Sequence, residues 1–222
     1  ILGDGTPAAE AFALTSGGSS FYNLTVTEDN FTSSTVLTVS NLLTVSSGSL
    51  TQNTAGALTA GTATLSGGNL TVTTPSTLSV TTGDLTISNA ASSYSGTGVV
   101  GITLGNLGVS AGSYDGNGAL TVTAGNINIS GTGAFDTLGG GDTVVTAGDF
   151  LHTSSATSTA AGDLTFNGAD GDLTVTAGTL TMTGALTLNG ATGDLTVNGG
   201  TLDGTGAIDV NGNVQFVDCS SR

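Results

Sequence analysis

Apolar residues recur along this chain in short alternating stretches such as Leu-Thr-Val, Leu-Thr-Met and Leu-Thr-Leu, separated by a few Gly, Ser, Thr, Asn or Asp residues. Alternation from Leu173 puts Leu173 and Val175 on one face and Thr174 and Thr176 on the other, the period-two signature of a half-buried strand. No stretch repeats at a helical period. The stretches themselves repeat: Leu164, Leu173 and Leu180 return as Leu186, Leu195 and Leu202, each 22 residues further on. The clearest unit reads GDLTVTAGTLTMTGALTLNGAT from Gly171 to Thr192, followed by GDLTVNGGTLDGTGAIDV from Gly193 to Val210.

The register extends backwards with small slips. First strands start at Leu85, Leu107, Ile127, Phe150, Leu173 and Leu195, and second strands fall near Tyr94, Tyr114, Phe135, Leu180 and Leu202. Third strands fall near Val100, Leu120, Val144, Leu164, Leu186 and Ile208, and the cycle continues less strictly through Leu24, Phe31, Leu37, Leu43, Leu50, Leu58, Leu65, Leu70 and Leu78. One such unit has too little apolar surface to stand alone, whereas stacked units bury a continuous core. The pattern predicts an all-β parallel β-helix (β-solenoid) with three short strands per coil, a period of about 22 residues and roughly nine coils. At about 4.8 Å per coil, the rod is roughly 40 to 45 Å long. An antiparallel sandwich would need tight hairpin turns and would not repeat at this period.

A stack has no natural internal boundary, so a single elongated domain is expected over residues 22–217, with a lead-in or cap at 1–21 and a tail at 218–222. Thr6-Pro7 predicts either a short capping helix through Ala8, Ala9, Ala11, Phe12 and Leu14 or an extended lead-in strand. The stretch His152 to Ala161 is poorly patterned and reads as a widened turn or a weak strand. Any insertion with a special role belongs there or at Gly139 to Gly141.

Composition sharpens this picture. The chain has 37 glycines, and they sit at corners between punctuating leucines and valines, unlike the glycines of a flexible linker. One basic residue, Arg222, stands against 16 acidic ones, for a net charge of -15. Nucleic-acid binding and attraction to an anionic membrane both need basic residues and are excluded as expectations. A self-repelling acidic surface suits an extracellular or high-salt setting. Neither a secretory signal segment nor an apolar run long enough to span a bilayer is present in the sequence. Cys219 is the only cysteine, so it forms no internal disulfide and reads as a reduced structural residue, an intermolecular link or half of a cut-off pair, the first being favoured.

The acidic residues are ordered. Asp84, Asp149, Asp172 and Asp194 occupy one corner of the repeat, with Asn106 and Asn126 filling it in two middle coils. Stacked about 5 Å apart, Asp172 and Asp194 repel by about 1 kcal/mol in a water-like dielectric. Asp and Asn together point to Asx-type turns in which the side chain bonds a nearby backbone amide. Calcium is the only cofactor to weigh, and Asp170, Asp172, Asp194, Asp203 and Asp209 are where it would sit. It needs six to eight oxygens, and no calcium-binding motif occurs, so no cofactor is expected.

Glycosidic cleavage by paired carboxylates has candidates in Asp115, Asp136, Asp170 and Asp203, but these lie in Gly-flanked corners without aromatic or basic companions. No catalytic residue is assigned and no enzyme activity is expected. His152 has no second histidine for a metal or catalytic set and reads as an ordinary loop residue. Acceptor patterns for N-glycosylation at Asn23, Asn30 and Asn69 are compatible with secretion and show nothing more.

The outward threonines, including Thr174, Thr176, Thr181 and Thr183, would form hydroxyl ladders resembling the arrays of β-solenoid ice-binding proteins. The array is irregular, however, and strand propensity alone accounts for it better. The GDLTVTAGTLTMTG and GGTLDGTGAI phrases resemble the repetitive passenger regions of bacterial secreted surface proteins, the autotransporters and filamentous-haemagglutinin-like adhesins, over nearly the whole chain after Phe21. The resemblance implies a right-handed coil and a role as a stalk, adhesin segment or surface-filament component at the cell surface. Two partner surfaces are then expected. Val210, Val214, Phe216 and Val217 carry alternating apolar residues into the C-terminus and suit head-to-tail self-assembly, with a second copy or with neighbouring parts of a larger surface protein. A lateral glycan- or protein-binding surface would lie around Tyr94, Tyr114 or the irregular stretch from Gly139 to Ser155.

Overall fold

The computed structural model describes residues 11–14, 20–53 and 56–217. It is a parallel β-solenoid in which every described pairing between strands is parallel. No helix occurs among the described residues, and so none is long and apolar enough to cross a membrane.

Pairing follows the repeat directly. Through the second half of the chain each strand pairs with the strand three places further along: Leu120–Val122 with Thr143–Val145, then Leu164–Phe166, Leu186–Leu188 and Ile208–Val210. A second series carries the Leu85 register: Leu24, Leu43, Ala63, Leu85, Leu107, Ile127, Phe150, Leu173, Leu195 and Val214 are successive partners. Nine steps over these 190 positions give a period of about 21 residues. A third series runs from Ala11–Leu14 through Asn30–Ser33, Ser49–Gln52, Asn69–Val72 and Ser113–Asp115 to Thr179–Met182 and Thr201–Gly204.

Inward residues of all three series form one core. Leu43, Leu85, Leu107, Phe150 and Leu173 are fully buried, as are Leu58, Leu120, Leu164 and Leu186 from the first series. Alternation decides this, because the same strands turn Thr44, Thr86, Thr165 and Thr187 outward, where they are half-exposed.

Two sequence expectations change, at Val144 and at the corners of the first half, and two open alternatives are decided, at the lead-in and in the stretch after His152. Ala11–Leu14 is a strand paired with Asn30–Ser33, so the lead-in is extended there and not helical. The earlier part of that expected helix lies outside the described residues, as does Cys219. The third-strand register at Val144 shifts by one: Thr143 and Val145 face inward, because Val145 must stack between Val122 and Phe166. In the first half of the chain the corners do not always interrupt the strand. Ser20–Ser33, Leu37–Gln52 and Leu85–Gly96 bend around corners through register shifts, where Ser, Asn and Thr stand in place of Gly pairs. Finally, the poorly patterned stretch contains a true strand, Thr157–Ala160, in register with Thr179–Met182.

Candidate functional site

The acidic corner is a hydrogen-bonded spine. Oδ1 of Asp84 accepts the backbone N–H of Asn106 at 2.7 Å, and Oδ1 of Asn106 accepts that of Asn126 at 2.8 Å. The chain continues through Asn126 to Asp149 at 2.9 Å, Asp149 to Asp172 at 3.1 Å, Asp172 to Asp194 at 2.7 Å and Asp194 to Asn213 at 2.7 Å. Each side chain therefore bridges to the equivalent amide of the next coil, instead of closing an Asx turn within its own. A shorter spine of the same kind links Asp142 to the Asp163 amide and Asp163 to the Ala185 amide.

The metal candidates do not converge. Asp172 and Asp194 belong to this spine, Asp170 accepts the Thr192 hydroxyl, and Asp203 accepts the neighbouring Gly204 amide. Asp209 sits in another series, opposite Thr187. Among the described residues no group of three or more His, Cys, Asp or Glu side chains is arranged to hold a metal ion.

Of the carboxylates weighed for glycosidic cleavage, Asp115 and Asp136 are direct partners in register, while Asp203 lies further along the same series and Asp170 in a corner. Asp115 accepts the Ser113 hydroxyl at 2.7 Å and Asp136 accepts the Thr159 amide at 2.9 Å. Burial holds the Asp136 carboxyl above its usual range; the Thr159 amide pulls it down and the Asp115 charge raises it further.

Tyr94 and Tyr114 do not form a lateral ligand surface. Both are fully buried, because they stand in the inward column that continues Leu50 and Leu70. Tyr94 stacks on Tyr114 with ring centroids 4.9 Å apart, Tyr114 stacks on Phe135 at 5.4 Å, and Phe135 meets Phe150 edge-on at 5.3 Å. Both phenol hydroxyls are buried without a hydrogen-bond partner, and burial raises both tyrosine pKa values.

His152 is likewise no loop residue. It ends the strand Phe150–His152 with its ring wholly buried, between Ile129 below and Val175 above. Nδ1 lies 3.0 Å from the Ala177 carbonyl oxygen and Nε2 lies 3.0 Å from Ser158 Oγ. Burial lowers its pKa from the ordinary 6.5.

The threonine pairs separate. Thr174 faces outward from the Leu173 series, Thr181 faces outward from the Thr179–Met182 strand, and Thr176 and Thr183 lie in the corners that follow. The most regular hydroxyl ladders lie in the first half of the chain and are one residue wide: Thr25, Thr44, Thr64 and Thr86 follow one another over four coils before Gly108 interrupts them, and Thr32, Thr51 and Thr71 lead to Ser95.

The C-terminal coil breaks the burial pattern. Leu186, Leu195 and Val197 are at most 1% exposed, whereas their partners one coil further on, Ile208, Val214 and Phe216, are 54%, 51% and 59% exposed. Val210 and Val217 are half-buried. A shallow apolar pocket opens there between Met182, Leu186, Leu202, Ile208 and Phe216. Val214 and Phe216 continue the apolar alternation of the sequence, and Ile208, at a core position of the repeat, is exposed with them. Comparison with protein families, curated proteins and solved structures finds no match to the chain.

Proposed function

We propose that the chain is a structural rod of an extracellular surface protein, a stalk or filament segment whose C-terminal coil docks on the N-terminal coil of a second copy. The jump from buried to half-exposed at Ile208, Val214 and Phe216 carries this reading, since a solenoid core must be covered at its end by another layer. Topology supports a second copy as that layer. The described chain finishes on Thr201–Gly204, Ile208–Val210 and Val214–Val217, and it begins with Ala11–Leu14 of the same series as Thr201–Gly204. Seating Ala11–Leu14 of one copy on Thr201–Gly204 of the next continues the parallel ladder in the same cyclic order. Such contacts are heterologous and do not close, so they build filaments. The coil is read as three-stranded throughout and right-handed, the latter following the likeness to secreted passenger regions.

Electron microscopy and light scattering on the purified protein test this. Filaments many times the length of one rod are expected at high concentration and physiological salt, and Phe216→Asp should return them to single rods with an unchanged far-ultraviolet spectrum. Wild-type protein that stays as uniform single rods would sink the proposal.

A further inference from the structure

The core is largely apolar over coil after coil, and two of its buried polar side chains, His152 and Ser158, meet each other. His152 follows Ile87, Val109 and Ile129 and precedes Val175 and Val197; Ser158 lies between Phe135 and Leu180. Both side chains are fully buried. The Phe135 N–H donates to Ser158 Oγ at 3.0 Å, so the Ser158 hydroxyl proton is free to point at His152 Nε2. The Ala177 carbonyl can only accept, which places the ring proton on Nδ1. A neutral imidazole in one tautomer thus satisfies every group, and it ties three coils together: Phe135 below, His152 and Ser158 in the middle, Ala177 above.

This junction sits on the least regular seam of the rod. The strands Ala134–Asp136 and Thr157–Ala160 are in ladder register at one pair only, Asp136 with Thr159. The Thr137 N–H donates to the Thr159 carbonyl at 2.8 Å, and side chains supply three further bonds: Ser158 Oγ holds the Phe135 amide, Asp136 Oδ1 the Thr159 amide and Thr137 Oγ1 the Ala161 amide. Ser154 Oγ adds a bond to the Gly133 carbonyl at 2.7 Å. The neighbouring seam, by contrast, joins Thr157–Ala160 to Thr179–Met182 over four successive pairs.

A second proton on Nε2 would aim two donors at Ser158 Oγ and leave the serine proton without its acceptor. It would also place a charge in the core with no counter-charge. The strands packed around His152 are Ile127–Ile129, Leu173–Val175 and Thr157–Ala160, and none holds a titratable residue. The acidic groups on adjoining elements, Asp136, Asp149 and Asp172, are engaged at half-exposed positions with the amides of Thr159, Asp172 and Asp194.

We propose that the His152–Ser158 junction is a pH-sensitive joint of the rod: mild acidification opens the seam between Ala134–Asp136 and Thr157–Ala160 while the coils on the N-terminal side stay folded. The sign follows from linkage. Opened, His152 titrates near its ordinary value of about 6.5. Closed, it resists protonation, so the closed seam is fully favoured above that value and loses ground as pH falls towards the lowered one. Asp136 acts oppositely, since a carboxyl held above its usual range in the closed form favours closure as it protonates.

His152 is the only histidine, so its ring signals report the joint directly. In the full-length protein, NMR of the imidazole should show the Nδ1–H tautomer and titration below about pH 6.5. Hydrogen exchange between pH 7.5 and 5.5, corrected for intrinsic rates, should show the opening constant at 134–137 and 157–160 rising, by up to about tenfold over the whole range and mostly below about pH 6.5. Amides at 57–80 should not change. His152→Gln keeps a hydrogen-bonding side chain without titration and should abolish the slope. A ring that titrates at its ordinary value, or protection lost equally in all coils, would overturn the proposal; both readouts come from wild-type protein and stand even if the variant does not fold.

Discussion

Tyr114 and Gly116 face the core from the same strand, two positions apart, and their sizes are matched. A Cβ on Gly116 would lie 2.5 Å from both Cε1 and Oη of Tyr114, closer than side-chain atoms pack. The tyrosine ring is therefore accommodated because its neighbour has no side chain. Gly116→Ala should cost about 1 to 3 kcal/mol by overpacking. Chemical denaturation would measure it, and Tyr114→Leu, which copies Leu70 and Leu180 of the same column, should remove most of that cost in the double variant. If the two substitutions simply add, the clash is not the cause. The inward place of Tyr114 was already written in its register with Leu70. Reading it as a surface aromatic gave residue type priority over column. The same holds for His152, which stands two places after Phe150, where Ile129 and Val175 also stand two places after their own column neighbours.

At the scale of the element, the Asp and Asn spine is what the repeat pattern revealed best and explained least. The recurring Asp84, Asp149, Asp172 and Asp194 with Asn106 and Asn126 were legible as one corner. That their oxygens reach the next coil was not, because a turn within one coil and a bridge between two need the same residue types. The bridge makes a distinct prediction for Asp172, whose Oδ1 holds the Asp194 amide at 2.7 Å. Asp172→Ala should lose about 1 kcal/mol. Asp172→Asn keeps the acceptor, as Asn106 and Asn126 do, and relieves repulsion from Asp149 and Asp194 worth about 1 kcal/mol at most for each pair. Denaturant midpoints in low salt should therefore rank Asn at or above wild type and Ala below; an Asn variant as unstable as Ala would mean that charge, and not the bridge, matters at this corner. Corners without a fixed chemistry were harder to read. Ser and Thr corners bend continuous strands in the first half of the chain, and nothing in their spacing distinguishes a bent strand from a broken one.

For the whole molecule, the leucine period alone was enough to give a parallel stack, since only stacked coils bring Leu164, Leu186 and Ile208 into one column. The exposed C-terminal coil was less legible, because exposure at Ile208 arises from position in the stack and not from the residue. A one-dimensional stack has stability that is a sum of coils and of contacts between neighbours. Removing residues 172–193, a full 22-residue unit, joins Gly171 to Asp194 and lets Asp149 bridge to the Asp194 amide as it now bridges to that of Asp172. Leu195 would then stack on Phe150, and Leu202 would take the place of Leu180 over Ser158. The shortened protein should fold with the same spectrum per residue and unfold with a denaturant dependence lower by about one tenth, in proportion to the surface lost. Removing only 172–182 shifts the following strands into the wrong series and should prevent cooperative folding. Should the full-unit deletion unfold as readily as the half-unit one, the coils would not be interchangeable layers, and additivity along the rod would have to be abandoned.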